Sequence, residues 1–161
     1  RSRTFEVALR IPAWSNTTRC TVNGQATPDP APGSYLRMRR RWETGDLIQL
    51  DLDMTPRLTT FPGTPDGSYV AIQRGPVVLA RDIRLGAPRL SAPLTLSETL
   101  RLEPAKGPEA VRLAFQSNLQ AADTGETVTL CDYASAGNTW DRNTSDFRVW
   151  LPTVRTLSAQ A

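Results

Sequence analysis

Apolar and polar residues alternate along much of this chain with a period of two. Residues 4–11 read TFEVALRI, and every second residue from Phe5 to Ile11 is large and apolar. Residues 47–54 and 111–115 alternate in the same way. Successive side chains of a β-strand point to opposite faces of a sheet, so this pattern predicts strands with one buried face and one wet face.

Turn-forming residues separate further strand-like segments. We predict strands at 19–22, 35–39, 69–73, 77–80, 126–131 and 147–151, and either a strand or a short helix at 96–102. Residues 69–73 and 77–80 are apolar on both faces, which is typical of central strands. Pro76 cannot donate to a strand ladder, so we interpret Arg74-Gly75-Pro76 as a bulge or a sharp connection.

These segments amount to about nine short strands separated by turns, with no amphipathic helix among them. Regular short strands of this kind favour a sandwich or a barrel. We therefore predict an all-β fold with little or no helix, formed as an antiparallel, jelly-roll-like β-sandwich. The 161 residues are enough for one domain, and we expect a single accessory domain over residues 1–161.

Charge and hydropathy argue against nucleic-acid and membrane partners. The net charge is +3, and the basic residues form one cluster, Arg37, Arg39, Arg40 and Arg41. On a strand this run divides between two faces, and no aromatic pattern suited to base stacking surrounds it, so we expect no nucleic-acid binding. No apolar run approaches the roughly 20 residues that cross a bilayer, so we expect no membrane span.

The chain contains no histidine. This excludes Ser-His-Asp and Cys-His catalysis and histidine-based zinc sites. Cys20 and Cys131 cannot complete a four-ligand zinc site without carboxylates, and we interpret both as buried free thiols. We therefore expect no catalytic residue, no metal and no cofactor in this chain, since a self-sufficient hydrolase would need paired carboxylates.

Two groups of acidic residues invite a functional interpretation. Asp51 and Asp53 lie on one face of a predicted strand, and we interpret them as solvated neighbours rather than a glycosidase acid/base pair. Asp141, Asn143 and Ser145 have the spacing of a calcium loop. The glycine and the bidentate glutamate of that loop are missing, so a turn capped by its own side chains is favoured.

Aromatic residues suggest a second function, a carbohydrate-binding module that stacks sugars on exposed rings. Trp140 lies in a polar loop and is the best candidate for exposure, and Tyr35 is the second candidate. Aromatic residues in small sandwiches are more often part of the core or of a domain interface. We therefore keep carbohydrate as an alternative partner.

Four ordered stretches of the sequence resemble a known family. They are Arg10 to Trp14 followed by Val22-Asn23-Gly24; Arg41-Trp42 with Gly45-Asp46 leading through Met54 to Arg57; Val70 to Val78; and Asp132-Tyr133 to Asn138 with Val149 to Pro152. In this order they resemble the C-terminal β-sandwich region of the β-L-arabinofuranosidase-like glycoside hydrolases, family 127 and its relatives. The resemblance covers nearly the whole chain. Asp132 and Trp140 depart from it, since many members have a proline and an arginine there.

The resemblance implies that catalysis takes place in another domain of a longer enzyme. Its members join an (α/α)₆ catalytic barrel, with a zinc-bound cysteine nucleophile and a glutamate acid/base, to this sandwich. None of those catalytic motifs is present here, and Cys20 and Cys131 match sandwich strands. We therefore expect a non-catalytic accessory domain whose partner is the barrel of its own polypeptide.

Two kinds of surface are candidates for contacts with other protein regions. We expect the docking residues to be Arg74, Gly75 and Pro76, together with Tyr133 and Asn138 of the 133–146 loop. The family sandwich begins a strand or two before Arg1, so this chain is expected to expose strand edges. Such edges can pair with a second copy, and we therefore expect a homodimer through them.

Overall fold

The computed structural model describes residues 2–63, 68–86 and 88–154. The tertiary contacts cluster in two units, Arg1–Thr55 (unit 1) and Pro56–Ala161 (unit 2). The described residues form fourteen strands and one short 3-10 helix, Ile83–Leu85. The all-β prediction is confirmed. The strands exceed the predicted nine because several are only two residues long, too short to show an alternating pattern.

Unit 1 contains two small sheets. Its strands are β1 (Ser2–Arg10), β2 (Arg19–Val22), β3 (Gln25–Ala26), β4 (Tyr35–Glu43) and β5 (Ile48–Asp51). Strands β1 and β4 pair antiparallel over their whole length, from Ser2 opposite Glu43 to Arg10 opposite Tyr35. Strands β3, β2 and β5 form the second sheet in that order. The side chains buried in this unit include Ile11, Cys20, Val22 and Trp42.

Local sequence explains the connection from β2 to β3. Asn23 and Gly24 both have positive φ, 51° and 77°, which is the conformation of a two-residue hairpin turn. The Asn23 side chain also donates to Asp46 at 2.7 Å and accepts from the Leu47 amide at 2.8 Å. The predicted strand at 19–22 has its predicted bounds.

Two predictions for unit 1 need correction. Asp53 is buried rather than on a wet strand face, because β5 ends at Asp51 and the chain then turns inward. The Asp53 amide donates to the Ser15 hydroxyl at 2.9 Å. The arginine run is divided between faces as expected, but Arg40 alone lies on the far face, and the other three share the face of Arg10. The division is therefore three to one, and three of the four arginines of this run lie together on one face.

Unit 2 contains nine strands in one hydrogen-bonded sheet. They are β6 (Pro56–Thr60), β7 (Tyr69–Arg74), β8 (Val77–Asp82), β9 (Leu94–Thr95), β10 (Leu102–Ala105), β11 (Ala114–Ala121), β12 (Thr127–Asp132), β13 (Phe147–Arg148) and β14 (Leu151–Val154). Six of them close a ring of pairings: β7 with β8, β8 with β12, β12 with β11, β11 with β9, β9 with β14, and β14 with β7. The β9–β14 pair is parallel, whereas the other pairs are antiparallel.

The core of unit 2 draws on every strand of that ring. Its buried members are Val70, Ile72, Leu79, Leu94, Phe115, Leu119, Val128, Leu130 and Leu151. Strand β11 shows most clearly how a strand contributes to this core, because buried and exposed residues alternate along it without a break from Phe115 to Ala121. The prediction that Val128 and Leu130 point inward is confirmed, since both are fully buried.

Three segments of unit 2 differ from their predictions. The strand predicted at 111–115 begins only at Ala114, and Leu113 is 44% exposed rather than on a buried face. Residues 96–101 form neither strand nor helix, because the Asn118 side chain takes up their backbone groups by bonding to the Arg101 amide and the Thr99 carbonyl, both at 2.8 Å. The last predicted strand, 147–151, is interrupted at 149–150 and divides into β13 and β14. Among the described residues, no helix is long and apolar enough to cross a membrane.

Candidate functional site

The predicted docking residues Arg74, Gly75 and Pro76 form the connection between β7 and β8. Arg74 pairs with Val77 across a two-residue turn, and Gly75 adopts a φ of 57° that this turn requires. The predicted sharp connection is therefore a tight hairpin. The Arg74 guanidinium lies 5.3 Å from the centroid of the Phe115 ring, so it is partly engaged within unit 2 itself. Pro76 is exposed.

Tyr133 lies beside this hairpin. Its amide donates to the Val78 carbonyl at 2.9 Å, and its side chain is 52% exposed. A shallow cavity of about 350 Å³ lies here, and apart from Asp132 it is lined by Pro76, Val77, Val78, Leu113, Tyr133 and Ala134. We call these six residues the turn surface. Two of the five predicted docking residues, Pro76 and Tyr133, thus meet on one mainly apolar surface.

Asn138 has a different role from Tyr133. Its side-chain oxygen accepts a hydrogen bond from Arg84 Nη1 at 2.8 Å, and its side-chain nitrogen donates to the Ala110 carbonyl at 2.9 Å. Both ends of the amide are therefore occupied within unit 2. The structure connects Asn138 to a polar cluster that the sequence did not predict.

Asp82 is the centre of that cluster. Its carboxylate, which has no exposed side-chain area, accepts from the Arg84 guanidinium at 2.6 and 2.8 Å and from the Gly137 amide at 2.8 Å. Burial opposes its charge, but the bonds from Arg84 and from the Gly137 and Arg84 amides together outweigh it and lower the pKa of Asp82. Arg84 also donates to the Ser135 carbonyl at 2.8 Å. The carboxylate thus joins the end of β8 to the 135–138 turn.

Asp132 also connects separate segments of unit 2 through hydrogen bonds. Its carboxylate accepts from the Leu113 amide at 2.9 Å and from the Ser135 hydroxyl at 2.8 Å, and that hydroxyl in turn accepts from the Arg112 amide at 3.0 Å. The neighbouring thiol of Cys131 is fully buried. Burial, together with the negative charges of Asp82 and Asp132, raises the pKa of Cys131 to about 12. Both cysteines are free and buried, as predicted.

The chemistry of this cluster is structural. Its two carboxylates, those of Asp82 and Asp132, accept hydrogen bonds from backbone amides and from neighbouring side chains. These bonds fix the turns to which the donors belong. No buried side-chain nitrogen or oxygen of the described residues lacks a hydrogen-bond partner. Within the same residues, no group of three His, Cys, Asp or Glu side chains could hold a metal ion. One part of this cluster could have been predicted from local sequence. Asp82 accepts a hydrogen bond from the amide two residues later, which is an Asx turn, and aspartate favours such turns.

A second buried charge fixes the loop that follows this cluster. The Arg81 side chain is 2% exposed, and its guanidinium donates to four backbone carbonyls, those of Pro88, Arg89, Leu90 and Ala92. The bond to Ala92 measures 3.0 Å. An arginine fork can satisfy several carbonyls at once, so this one side chain orders the chain from Pro88 to Ala92.

The two candidate sugar-stacking residues are both exposed but lie in different units. Trp140, in unit 2, is 91% exposed and has a φ of 57°, which few residues other than glycine adopt. Tyr35, in unit 1, is 56% exposed on β4. The structure places each ring where a ligand could reach it.

The remaining acidic candidates are turn and surface residues. Asp141 accepts a hydrogen bond from the Asn143 amide at 2.7 Å, which is the Asx turn favoured over a calcium loop. Asp51 is exposed and accepts from Gln49 at 3.1 Å. Because Asp53 is buried, Asp51 and Asp53 do not share a wet face.

Comparison with known proteins shows which family this chain is similar to. Residues 1–54 match the family model described as "Beta-L-arabinofuranosidase, GH127 middle domain", and this match ends one residue before unit 1 does. Solved structures share the fold of nearly the whole chain. A GH127 β-arabinofuranosidase superposes with a TM-score of 0.71 at 23% identity, covering 96% of this chain. The chain has a GH127-like fold.

Two more solved proteins share this GH127-like fold. A protein described as a glycoside hydrolase has a TM-score of 0.74 at 22% identity over 94% of this chain. A GH127 β-L-arabinofuranosidase from Geobacillus stearothermophilus T6 has a TM-score of 0.68 at 23% identity over 95% of it. The GH127-like chain spans only 27–28% of the length of these three proteins. No curated protein sequence matches the chain.

Proposed function

We propose that this chain is a non-catalytic accessory region of a larger GH127-like glycoside hydrolase, which docks on and supports the catalytic barrel of its parent. The observation that carries the proposal is the asymmetry of coverage. The fold accounts for 94–96% of this chain but for only 27–28% of the solved proteins that share it. The parent's substrate class is then a β-arabinofuranoside, by analogy with the names of two of these proteins.

The turn surface supports docking. Leu113 is 44% exposed and Tyr133 is 52% exposed, next to the exposed Pro76. A contiguous apolar surface of this kind is typical of contacts with another protein region, since exposing it to water is unfavourable. Pro76 and Tyr133 are also two of the five docking residues predicted from the sequence. Arg74 and Asn138 are engaged within unit 2, and we assign them to shaping this surface rather than to contacting the barrel.

The proposal is tested in two ways. The chain alone should not hydrolyse a chromogenic β-L-arabinofuranoside, and turnover by the purified chain would contradict the non-catalytic assignment. In the longer enzyme, Tyr133→Ser should lower both the melting temperature and kcat/KM, because it removes apolar contact area from the docking surface. Tyr69→Ser is the matched control, since Tyr69 is 39% exposed and lies outside the turn surface. Equal effects of the two variants would argue against docking through this surface.

Carbohydrate binding is the second candidate function, and the exposure of Trp140 favours it. An indole that is 91% exposed offers most of its ring surface to a ligand. A titration with arabinosides, followed by heteronuclear NMR, should shift resonances near Trp140 and lose that response in Trp140→Ala. A flat response in the unmodified chain would leave only the docking proposal.

The homodimer stays a prediction, which light scattering at high concentration would test.

A further inference from the structure

One face of the β1–β4 ladder carries a row of arginines. Residues opposite each other in an antiparallel pair point to the same side of the sheet, and side chains two apart on one strand do so as well. The register places Arg10 opposite Tyr35, and Arg37, Arg39 and Arg41 follow on the same side. We call these five residues the arginine face.

The arginine face is the outward side of this ladder. All five of its residues are exposed. The other side of the same ladder carries Val7, Leu9, Leu36 and Met38, which are half-buried, and Trp42, which is buried, while Arg3, Phe5 and Arg40 at its far end are exposed. Unit 1 therefore packs the apolar side of the ladder and presents the arginines to solvent.

Most of the positive charge on this face is available to a ligand. Among the described residues, none bonds to the guanidinium of Arg10 or of Arg39. Arg37 uses Nη1 for an ion pair with Glu6 at 2.8 Å, and Arg41 donates from Nε to the Ser2 hydroxyl. Both of those guanidinium groups keep further N–H donors, since each has five.

The balance of charge on the face is positive. Four arginines stand on it against two carboxylates, Glu6 and Glu43, and Glu43 lies at one end, opposite Ser2. Successive arginines on β4 are two residues apart, which places their Cα atoms about 6.7 Å apart along a straight line. A linear ligand with repeating negative charges suits such a row better than a single anion.

An aromatic ring stands at the other end of the row. Tyr35 is 56% exposed, and the Arg37 guanidinium lies 5.9 Å from the centroid of its ring. Tyrosine rings stack on the apolar faces of sugar rings, and arginine forks bind carboxylates through two parallel hydrogen bonds. A sugar that carries a carboxylate satisfies both groups at once.

We propose that the arginine face binds a linear acidic polysaccharide of the polyuronate class. The carboxylates of successive sugars pair with Arg37, Arg39 and Arg41, while a sugar ring at one end stacks on Tyr35. A nucleic acid is disfavoured because base-stacking platforms interleave several aromatic rings with the charges, and this face has one ring at its end. The proposal does not rest on docking through the turn surface or on Trp140, which both belong to unit 2.

The test is a calorimetric titration of the chain with an oligogalacturonate of about ten sugars at low ionic strength, where surface charges are least screened. Binding should weaken by at least about tenfold in Arg39→Gln/Arg41→Gln, since each charge-assisted hydrogen bond is worth about tenfold. Arg39→Lys/Arg41→Lys should lose less, because it keeps the charge and loses only the fork. Arg10→Gln/Arg39→Gln is a second neutralising pair, should the first fail to fold.

The matched control removes the same charge elsewhere. Arg101 and Arg142 are exposed in unit 2, and Arg101→Gln/Arg142→Gln should bind within about twofold of the unmodified chain. The methyl-esterified oligomer, which has the same sugars without the charge, should not bind. The proposal is overturned if the unmodified chain does not bind the oligomer, or if Arg101→Gln/Arg142→Gln weakens binding as much as the neutralising pair on the arginine face does. It is also overturned if the ester binds as well, or if an oligothymidylate of equal charge binds as tightly, which would indicate a nucleic-acid surface.

Discussion

The carboxylate of Asp82 receives three hydrogen bonds from Arg84, the residue two positions along the chain. One comes from the Arg84 amide at 2.9 Å, and the other two come from its guanidinium at 2.8 and 2.6 Å. This pair begins the short 3-10 helix and, through the Gly137 amide, ties it to a turn more than fifty residues later. A local sequence motif thus holds a long-range contact in place.

Asp82→Asn should lower the free energy of unfolding of the chain by about 3–5 kcal/mol, because it removes the charge that balances a largely buried arginine. The measurement is urea denaturation at neutral pH, followed by circular dichroism. Asp51→Asn is the control, since Asp51 is exposed on β5 and its change should cost less than about 0.5 kcal/mol. A similar small cost for both variants would show that the Asp82–Arg84 pair contributes little.

The same pair predicts a dependence of stability on pH. The pKa of Asp82 is lower in the folded chain than its ordinary value near 3.9. Its contribution is therefore fully present above about pH 4 and is lost as the pH falls through the folded pKa. Between neutral pH and about pH 3, the unmodified chain should lose more stability than Asp82→Asn does. Parallel losses in the two proteins would assign acid sensitivity to other groups.

Gly137→Ala should destabilise unit 2 by about 2–4 kcal/mol, since a positive φ disfavours a side chain and a tight contact adds to the cost. Gly137 has a φ of 64°, and an added Cβ would lie 2.6 Å from the Ser145 carbonyl oxygen and 2.7 Å from the Phe147 ring. Gly125→Ala separates the two causes, because Gly125 has a φ of 72° and open space around it. Thermal melts of both variants measure the difference, and equal losses would exclude the contact as a cause.

Arg81→Lys should release the loop from Pro88 to Ala92. A lysine ammonium has three donors on one nitrogen and cannot satisfy all four carbonyls that the guanidinium binds, so we expect a loss of about 2–3 kcal/mol. Hydrogen exchange should also quicken in this loop ahead of the core strands. Arg89→Lys is the control, because the side chain of Arg89 makes an exposed ion pair with Asp123 at 3.2 Å, which a lysine can keep. Unchanged exchange in Arg81→Lys would contradict the role of Arg81.

Cys131 should resist thiol reagents in the folded chain. Its thiol is fully buried and its pKa is raised to about 12, so almost none of it is thiolate at pH 8. Labelling with a disulfide reagent should be at least about a hundredfold slower than in urea, where both cysteines become accessible. Cys20→Ser isolates the signal of Cys131. Rapid labelling of that variant under native conditions would show that the thiol is reachable.

The sequence predicted the features that depend on neighbours along the chain. Strand β2 and the turn at Asn23 and Gly24 follow from local alternation and from residues that tolerate positive φ. The burial of Val128 and Leu130 follows from the same alternation. These properties are encoded within a few residues, so no knowledge of the tertiary fold is needed to predict them.

Features that depend on the register between distant strands were missed. Arg10 lies on the arginine face because β1 pairs with β4 in one particular register. That register cannot be predicted from the arginine run of β4 alone. Asn138 was predicted to face another domain, but its partners Arg84 and Ala110 come from remote segments. Asp53 was predicted to be solvated because nothing local indicates that β5 ends two residues earlier.

The ring of six strands in unit 2 affects how this region can be divided. Strand β14 closes the ring by pairing with both β7 and β9. Removing the four residues Leu151–Val154 would abolish the β14–β7 and β14–β9 ladders and open the core beside the fully buried Leu94. We expect no partial version of unit 2 to stay folded, and its melting should be a single cooperative transition. An expression boundary that keeps this unit intact must therefore lie after Val154.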